Sequence, residues 1–282
     1  MNAARIQVAI AALLFSTGGA AIKLVELSSW QIAGFRSLVA AVVLWIALPQ
    51  WRMFPDRRVI MVSFAYGATL ILYAIANTQT TAAAAIFLQS SASLYVLLAA
   101  PRLLAEPRQP SDLPIVLALL AGVVLFFIGT DIPLATAPNP SLGNWLGAAS
   151  GVTWAATLMG LRWLGRMSVA SAAPDPTGAA VITGNLLAFV VCAPFAFPLG
   201  SAEASDWLMV GYLGAFQIGL AYVFMVRGVK RLRALEFSLI LLMEPVMSAI
   251  LTWIVHGEAL SALALAGGAL ILAGVASQAF RR

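Results

Sequence analysis

A glutamate and a proline interrupt a long apolar stretch of the chain. The stretch Leu235–Glu258 reads LEFSLILLMEPVMSAILTWIVHGE and is long enough to cross a bilayer as a helix. A carboxylate at the centre of a membrane costs roughly 2.5–3.5 kcal/mol on insertion scales, so Glu244 requires a partner, a proton or water. Pro245 follows directly and predicts a kink or local unwinding at the same depth. Two interpretations stay open: Glu244 lies beside a solute pathway, or it is neutral and hydrogen-bonded to a neighbouring helix.

Other apolar stretches also carry polar and aromatic side chains. One of them has such a residue at every third or fourth position, which places these side chains on one face of a helix. The members of this face are Tyr66, Thr69, Tyr73, Asn77 and Thr80. A cavity between helices would be lined by this face together with polar residues of neighbouring segments. The predicted lining residues are Tyr73, Asn77, Gln89, Ser93, Trp154, Gln217, Tyr222 and Glu244.

Each of these residues also has a purely structural interpretation. Small hydroxyl residues in membrane helices often serve close packing, and Trp154 and Tyr222 could be interfacial or core aromatics. Arg36 lies inside an apolar segment and is expected to snorkel to the near interface or to pair with a carboxylate. His256 and Glu258 end a segment, where an interfacial position is favoured over a role in proton transfer.

The composition identifies the class of protein that must position these residues. The chain of 282 residues is 62% hydrophobic and 10% charged, whereas soluble proteins are about 25% charged, so we predict a polytopic α-helical membrane protein. Long apolar runs instead of short alternating segments argue against a membrane β-barrel. The single cysteine, Cys192, allows no disulfide within the chain.

Motifs for other kinds of chemistry are missing from the sequence. There is no His-Glu-x-x-His, no Walker loop, no Gly-x-Ser-x-Gly, and only one histidine. We therefore predict no catalytic residue, no cofactor and no metal site, and exclude an ATP-driven pump. The net charge of +5 follows the membrane topology and does not indicate binding to nucleic acid.

Ten apolar segments divide the chain, with short connections between most of them. They span roughly 6–25, 30–49, 59–77, 83–104, 112–129, 142–163, 177–198, 206–226, 235–255 and 261–280. The longest connections, 130–141 and 164–176, are rich in Pro, Ala and Ser and are predicted to be loops. The first segment is expected to be a retained helix rather than a cleaved signal peptide.

The positive charges predict the orientation of these segments. Ten spans put both termini on one side, and all of the 16 lysines and arginines except Lys23 and Arg36 fall on that side. Positive charge is enriched in cytoplasmic loops, so both termini are predicted to be cytoplasmic, in a multi-pass protein of the cell inner membrane.

The two halves of the chain resemble each other. Glu106 and the Leu-Ala-Gly-Val at 120–123 align with Glu258 and the Leu-Ala-Gly-Val at 272–275 at the same separation. Lys23 aligns with Arg162 in the same order along the chain, and Tyr73 aligns with Tyr222. Five spans per half is an odd number, so the halves have opposite orientation. We predict two inverted five-helix repeats around a central cavity, an architecture typical of secondary transporters.

These features together resemble the EamA-type exporters of the drug/metabolite transporter superfamily. The resemblance rests on the repeated Glu and Leu-Ala-Gly-Val signature, on Glu-Pro-Val at 244–246 and on Trp154, and it covers essentially the whole chain. Within that family the chain looks most like the YddG-type exporters of aromatic amino acids. The resemblance implies two EamA repeats, 1–130 and 142–282, joined by a loop at 131–141. It also implies a cavity lined by spans one, three, four, six, eight and nine, with spans five and ten outside. In the first repeat, Ala92 and Ser93 replace the Glu-Pro pair, so the two halves are not equivalent.

The sequence therefore favours a secondary exporter of small amphipathic metabolites, aromatic and other apolar amino acids above all, that works by alternating access. Its partners are a small-molecule substrate and the lipid bilayer, and its oligomeric state is left open and compatible with a monomer. Two alternatives remain. A sugar-phosphate or nucleotide-sugar exchanger would need basic residues in the cavity, for which only Arg36 is available. A lipid-modifying enzyme with Glu244 as acid or base would need a second catalytic group at the same depth.

Overall fold

The structure is a computed structural model that describes residues 2–105, 112–129, 135–171, 175–200, 202–229, 231–241, 243–258, 261–263 and 265–270. All regular elements in these ranges are helices, and no strand occurs in them. Glu106 and most of the predicted tenth span lie outside the described residues.

Twelve helices are numbered along the chain. They are α1 (Asn2–Ile22), α2 (Ser29–Ala47), α3 (Arg57–Gln79), α4 (Ala82–Gln89), α5 (Ala92–Leu103), α6 (Asp112–Gly129), α7 (Pro140–Ser171), α8 (Thr177–Ala196), α9 (Ala204–Tyr212), α10 (Ala221–Val229), α11 (Ala234–Leu241) and α12 (Met243–His256). A 3₁₀ turn, Pro49–Trp51, follows α2, and a π-helix, Leu213–Leu220, joins α9 to α10. Residues 262–263 and 265–270 are also helical.

Six helical runs in the described part of the chain are long and apolar enough to cross a membrane. They are Ala3–Ile22, Ser29–Ala47, Arg57–Gln79, Ala82–Leu103, Thr177–Ala196 and Ala204–Val229. The chain is therefore an all-helical, multi-pass membrane protein. The full count of ten spans stays a prediction.

Side-chain caps define where several helices begin. Asp56 precedes α3 and its carboxylate accepts from the backbone N–H groups of Arg58 (3.0 Å) and Val59 (2.8 Å). Ser28 and Gln31 form a reciprocal capping box at the start of α2. Such caps satisfy N–H groups that a helix leaves free at its first turn.

Helix α7 is longer than the sequence predicts. It begins at Pro140, inside the predicted 131–141 loop, and Asn139 Oδ1 accepts from Leu142 N at 3.2 Å. It continues to Ser171, so the predicted loop at 164–176 is wrong over most of its length. The extension is held by Arg166, whose Nη1 donates to Leu104 O at 2.6 Å. The loop was predicted because residues 164–176 are rich in Pro, Ala and Ser, but a helix that continues beyond the bilayer can have the same composition.

Helices of the first half pack mainly against helices of the second half. α1 contacts α10, α12 and the π-helix, whereas α7 contacts α3, α4 and α5; α2 packs against α8. By contrast, α6 exposes Leu113, Leu117 and Val124, as expected for a peripheral helix that faces lipid.

A buried ion pair joins the helix ends at the distal end of the bundle, the end away from Asn2. Lys23 Nζ, just after α1, lies 3.1 Å from Glu258 Oε1, just after α12, and both side chains are about 5% exposed or less. Lys23 also donates to the carbonyl oxygens of Thr80 (3.0 Å) and Thr136, and Ala82 N donates to Glu258 Oε2 at 3.1 Å. Burial lowers the pKa of Lys23, and the Glu258 carboxylate opposes that shift. Four segments are thus tied together around two charges.

Candidate functional site

A narrow cavity lies among the helices of both halves, and its empty space of about 410 Å³ includes the open mouth of the cavity. Helices α1, α2, α3, α4, α7, α10 and α12 and the π-helix each contribute at least one side chain to its wall. The lining residues are Phe15, Arg36, Thr69, Leu70, Tyr73, Gln89, Trp154, Gln217, Ile218, Tyr222 and Glu244. The wall is therefore mostly apolar and aromatic, with a few polar groups, as is usual for small-molecule sites.

The aromatic wall is centred on Tyr222 of α10. Its ring meets Phe15 edge-on at 5.2 Å between centroids and lies 4.7 Å from the ring of Tyr66. Tyr66 is held from behind by Asn185 of α8, whose Nδ2 donates to the tyrosine hydroxyl at 3.2 Å. Trp154 of α7 is 9% exposed and adds a further ring to the wall. Such rings provide apolar contact area in a fixed geometry.

Gln217 reaches the cavity from the π-helix. Its Nε2 is 3.4 Å from Phe15 O, a long hydrogen bond across to α1. Gly18 permits this approach, because a Cβ there would lie 2.7 Å from Gln217 Nε2. The Oε1 atom of Gln217 is buried and has no hydrogen-bond partner among the described residues.

Arg36 of α2 is 1% exposed and lies in the cavity wall. Its Nη2 donates to Leu70 O at 3.0 Å, and its guanidinium lies 5.9 Å from the centroid of the Tyr73 ring. Its Nε has no acceptor in the described part of the chain. Both expectations from the sequence are wrong: Arg36 neither snorkels to an interface nor pairs with a carboxylate there. The buried Leu70 carbonyl and the tyrosine ring retain it at depth instead.

Glu244 lies in the first turn of α12, on the cavity surface. Within the described residues its carboxylate has no hydrogen bond and no ion pair, so the structure does not show it bonded to a neighbouring helix. Pro245 occupies the same first turn, where a missing N–H removes no helical hydrogen bond. Leu242, before this turn, is outside the described residues, and the predicted kink stays a prediction.

The structure brings six of the eight predicted lining residues to this cavity: Tyr73, Gln89, Trp154, Gln217, Tyr222 and Glu244. Ser93 lines a smaller adjoining cavity of about 270 Å³, together with Gln89, Trp154 and Glu244. Asn77 is fully buried one turn beyond Tyr73, donates from Nδ2 to the Tyr73 hydroxyl at 3.4 Å, and is not part of either wall.

The sequence did not predict Arg36 or Phe15 as lining residues, whereas Thr69 belongs to the polar face that was predicted to line a cavity. Arg36 carried a signal, because a charged residue within an apolar span is expensive and usually functional. Phe15 carried none, since apolar residues are common throughout membrane helices. No group of three or more potential metal ligands occurs among the described residues.

Comparison with known proteins places the second half of the chain in a family. Residues 141–277 match the EamA-like transporter family. No curated protein matches the sequence. A solved structure described as "Crystal structure of protein" is 20% identical, with a TM-score of 0.73 over 99% of this chain and 97% of that one, which shows a shared fold. Residues 141–277 of this multi-pass membrane protein are therefore similar to the EamA-like transporter family.

Proposed function

We propose that the protein is a secondary transporter that exports small amphipathic metabolites, aromatic and other apolar amino acids above all, by alternating access. The observation that carries the proposal is the cavity itself. It lies between the two halves of the chain, has aromatic walls, and presents polar groups that the described residues leave unpartnered. This is the position of substrate sites in transporters built from repeats.

The transporter architecture proposed here has ten spans in two inverted repeats, 1–130 and 142–282, with both termini in the cytoplasm and the protein in the inner membrane. The reciprocal packing supports it: α1 contacts α10 and α12, and α7 contacts α3, α4 and α5. The one-sided distribution of lysine and arginine supports the orientation. Aromatic-exporter specificity of the YddG type belongs to the same proposal.

The side chains in the wall suit the two ends of an amino acid. Phe15, Trp154 and Tyr222 provide rings against which an apolar side chain can pack. Gln89, Gln217 and Glu244 provide polar atoms for its amino and carboxylate groups. A single cavity therefore offers apolar surface to the side chain of an amino acid and polar groups to its amino and carboxylate groups.

Transport in proteoliposomes tests this function. Purified protein is reconstituted, and uptake of labelled tryptophan, threonine and a sugar phosphate is measured with and without an imposed pH gradient. We expect saturable uptake of tryptophan. Exchange of the sugar phosphate without amino-acid transport would favour the phosphate exchanger instead, and chemical change of the vesicle lipids would favour an enzyme.

The substitution Trp154→Ala removes a ring from the cavity wall. Loss of such a buried contact is expected to lower the rate of tryptophan uptake at least tenfold at subsaturating concentration, because an aromatic contact and its apolar area contribute a few kcal/mol to binding. Trp253→Ala is the matched control, since Trp253 on α12 is 59% exposed and does not line the cavity. Equal loss in both variants would contradict a role of Trp154 in the pathway.

A further inference from the structure

Two ionisable side chains of opposite charge lie in the wall of one cavity without an ion pair between them. Arg36 enters from α2 and Glu244 from α12. The ion pairs within the described residues are Arg5 with Glu236 and Lys23 with Glu258. Arg36 is 1% exposed, and a buried charge that lacks a compensating partner is strongly destabilising; an occupant of the cavity can supply that partner.

The guanidinium of Arg36 is held in place but is mostly unused. Of its five N–H donors, only Nη2 has an acceptor within the described chain, the Leu70 carbonyl at 3.0 Å. Nε is buried and without an acceptor. An arginine fork with free donors matches a carboxylate in a bidentate geometry.

The backbone around Arg36 is fixed by close packing with the π-helix. Gly214 lies so near α2 that a Cβ there would be 2.6 Å from Arg36 O. The Tyr73 ring, 5.9 Å from the guanidinium, limits its movement on the other side. The guanidinium is thus positioned before any substrate arrives, which lowers the entropy lost on binding.

Arg36 and Glu244 line the same cavity as Tyr73 and Tyr222. The cavity therefore offers a positive group, a negative group and aromatic surface together. A zwitterion complements this arrangement. A phosphate dianion would meet the Glu244 carboxylate, and a simple amine would leave Arg36 unpaired.

We propose that Arg36 binds the carboxylate of the substrate and is the residue that makes this cavity selective for α-amino acids over amines that lack a carboxylate. The proposal rests on the proposed function and adds a residue and a selection rule to it. Glu244, in the wall of the same cavity, takes the ammonium group.

Analogues of one substrate test this rule without altering the protein. Uptake of labelled tryptophan into proteoliposomes is competed with unlabelled tryptophan, with tryptamine, which lacks the carboxylate, and with indole-3-propionate, which lacks the ammonium group. Leaving one member of a buried charge pair unpaired costs at least about 2 kcal/mol, so each analogue is expected to compete about 30-fold more weakly than tryptophan.

Variants then assign the carboxylate preference to Arg36. In Arg36→Gln, tryptophan is expected to lose its advantage over tryptamine, so that the two compete within about threefold of each other. Arg36→Lys keeps the charge without the fork and is expected to recover part of the preference. Arg227→Gln on α10, an exposed arginine, is the matched control and should keep the full preference.

The outcomes separate the two proposals. If no amino acid is transported, the proposed function fails and this inference fails with it. If tryptophan is transported but tryptamine competes equally well with the unaltered protein, the inference alone is overturned. If Arg36→Gln does not fold, the analogue series on the unaltered protein still tests the selectivity, and Arg36→Lys still tests its assignment to Arg36.

Discussion

Gln217 holds a buried amide oxygen for which the described residues provide no donor. The side chain is 4% exposed, and its only hydrogen bond is the long one from Nε2 to Phe15 O. An unsatisfied buried polar atom costs about 1–3 kcal/mol, so this glutamine lowers the stability of the empty protein. A donor on a bound substrate would remove that cost, which links the residue to binding.

The substitution Gln217→Met removes the unsatisfied oxygen at nearly constant volume. We expect an unchanged or higher midpoint of thermal unfolding in detergent, together with slower tryptophan uptake. Gln31→Met provides the contrast, because Gln31 donates to Ala196 O and Pro198 O and completes the α2 cap. An equal fall in the unfolding midpoint for both variants would show that Gln217 is only structural.

At the scale of the residue, the sequence predicted which polar side chains are buried better than it predicted which of them face the cavity. The polar face of α3 is buried as its spacing predicts, with Tyr66, Thr69 and Tyr73 all less than 10% exposed. Yet spacing alone could not show that the cavity ends between Tyr73 and Asn77. Nor could it show that Arg36 points inward, because either direction fits a charged residue on a membrane helix.

At the scale of the element, the π-helix is what brings Gln217 and Arg36 to the same cavity. A π-turn widens the helix and changes which residues face a neighbour, and such turns are often found at functional sites. Gly214 lies within it, and a Cβ there would be 2.5 Å from the Val39 Cβ and 2.6 Å from Arg36 O. The absence of a side chain therefore sets the distance between the π-helix and α2.

Substitution Gly214→Val tests that contact. Overpacking costs typically 1–3 kcal/mol, so we expect a lower unfolding midpoint and weaker tryptophan binding as α2 moves away. Gly211→Ala is the control, because a Cβ at Gly211 would meet nothing within 4 Å. That variant should be neutral or slightly more stable, since alanine favours a helix. Unchanged stability in Gly214→Val would show that the two elements separate easily.

Hydropathy predicted the helices well but not this irregularity or the extent of α7. Apolar runs report which residues prefer lipid, and the observed helices follow the predicted segments closely. Apolar runs do not show a change in the hydrogen-bond register of a helix, because a segment has the same hydropathy whether it forms an α-turn or a π-turn. The extension of α7 beyond residue 163 depends on Arg166 reaching Leu104 O, a contact between distant parts of the chain.

At the scale of the whole molecule, the Lys23–Glu258 pair closes the distal end of the bundle. Breaking a buried pair by removing one partner costs about 3–5 kcal/mol, whereas replacing both partners with apolar residues is often neutral. Glu258→Gln should therefore lower the unfolding midpoint markedly, and removal of the opposing carboxylate should lower the pKa of Lys23 further.

The double variant Lys23→Met with Glu258→Leu is expected to recover most of that stability. Tryptophan uptake by the double variant tests whether the ion pair also takes part in transport. If the distal end opens and closes by breaking and re-forming this pair, the double variant should show altered uptake although it is stable. Unaltered uptake in the double variant would limit the pair to a structural role.

The interleaving of the two halves also has a consequence for synthesis. Ser63 donates to Ala180 O, Asn185 donates to the Tyr66 hydroxyl, and Thr69 donates to Thr153, so three polar residues of α3 have partners on α7 and α8. At about 5–20 residues per second, the ribosome needs on the order of 3–13 s to extend the chain from the end of α6 to the end of α8. During that interval the first half lies in the bilayer without these partners. Until the second half is inserted, water, lipid head groups or an insertion factor must provide hydrogen-bond partners for the polar side chains of α3.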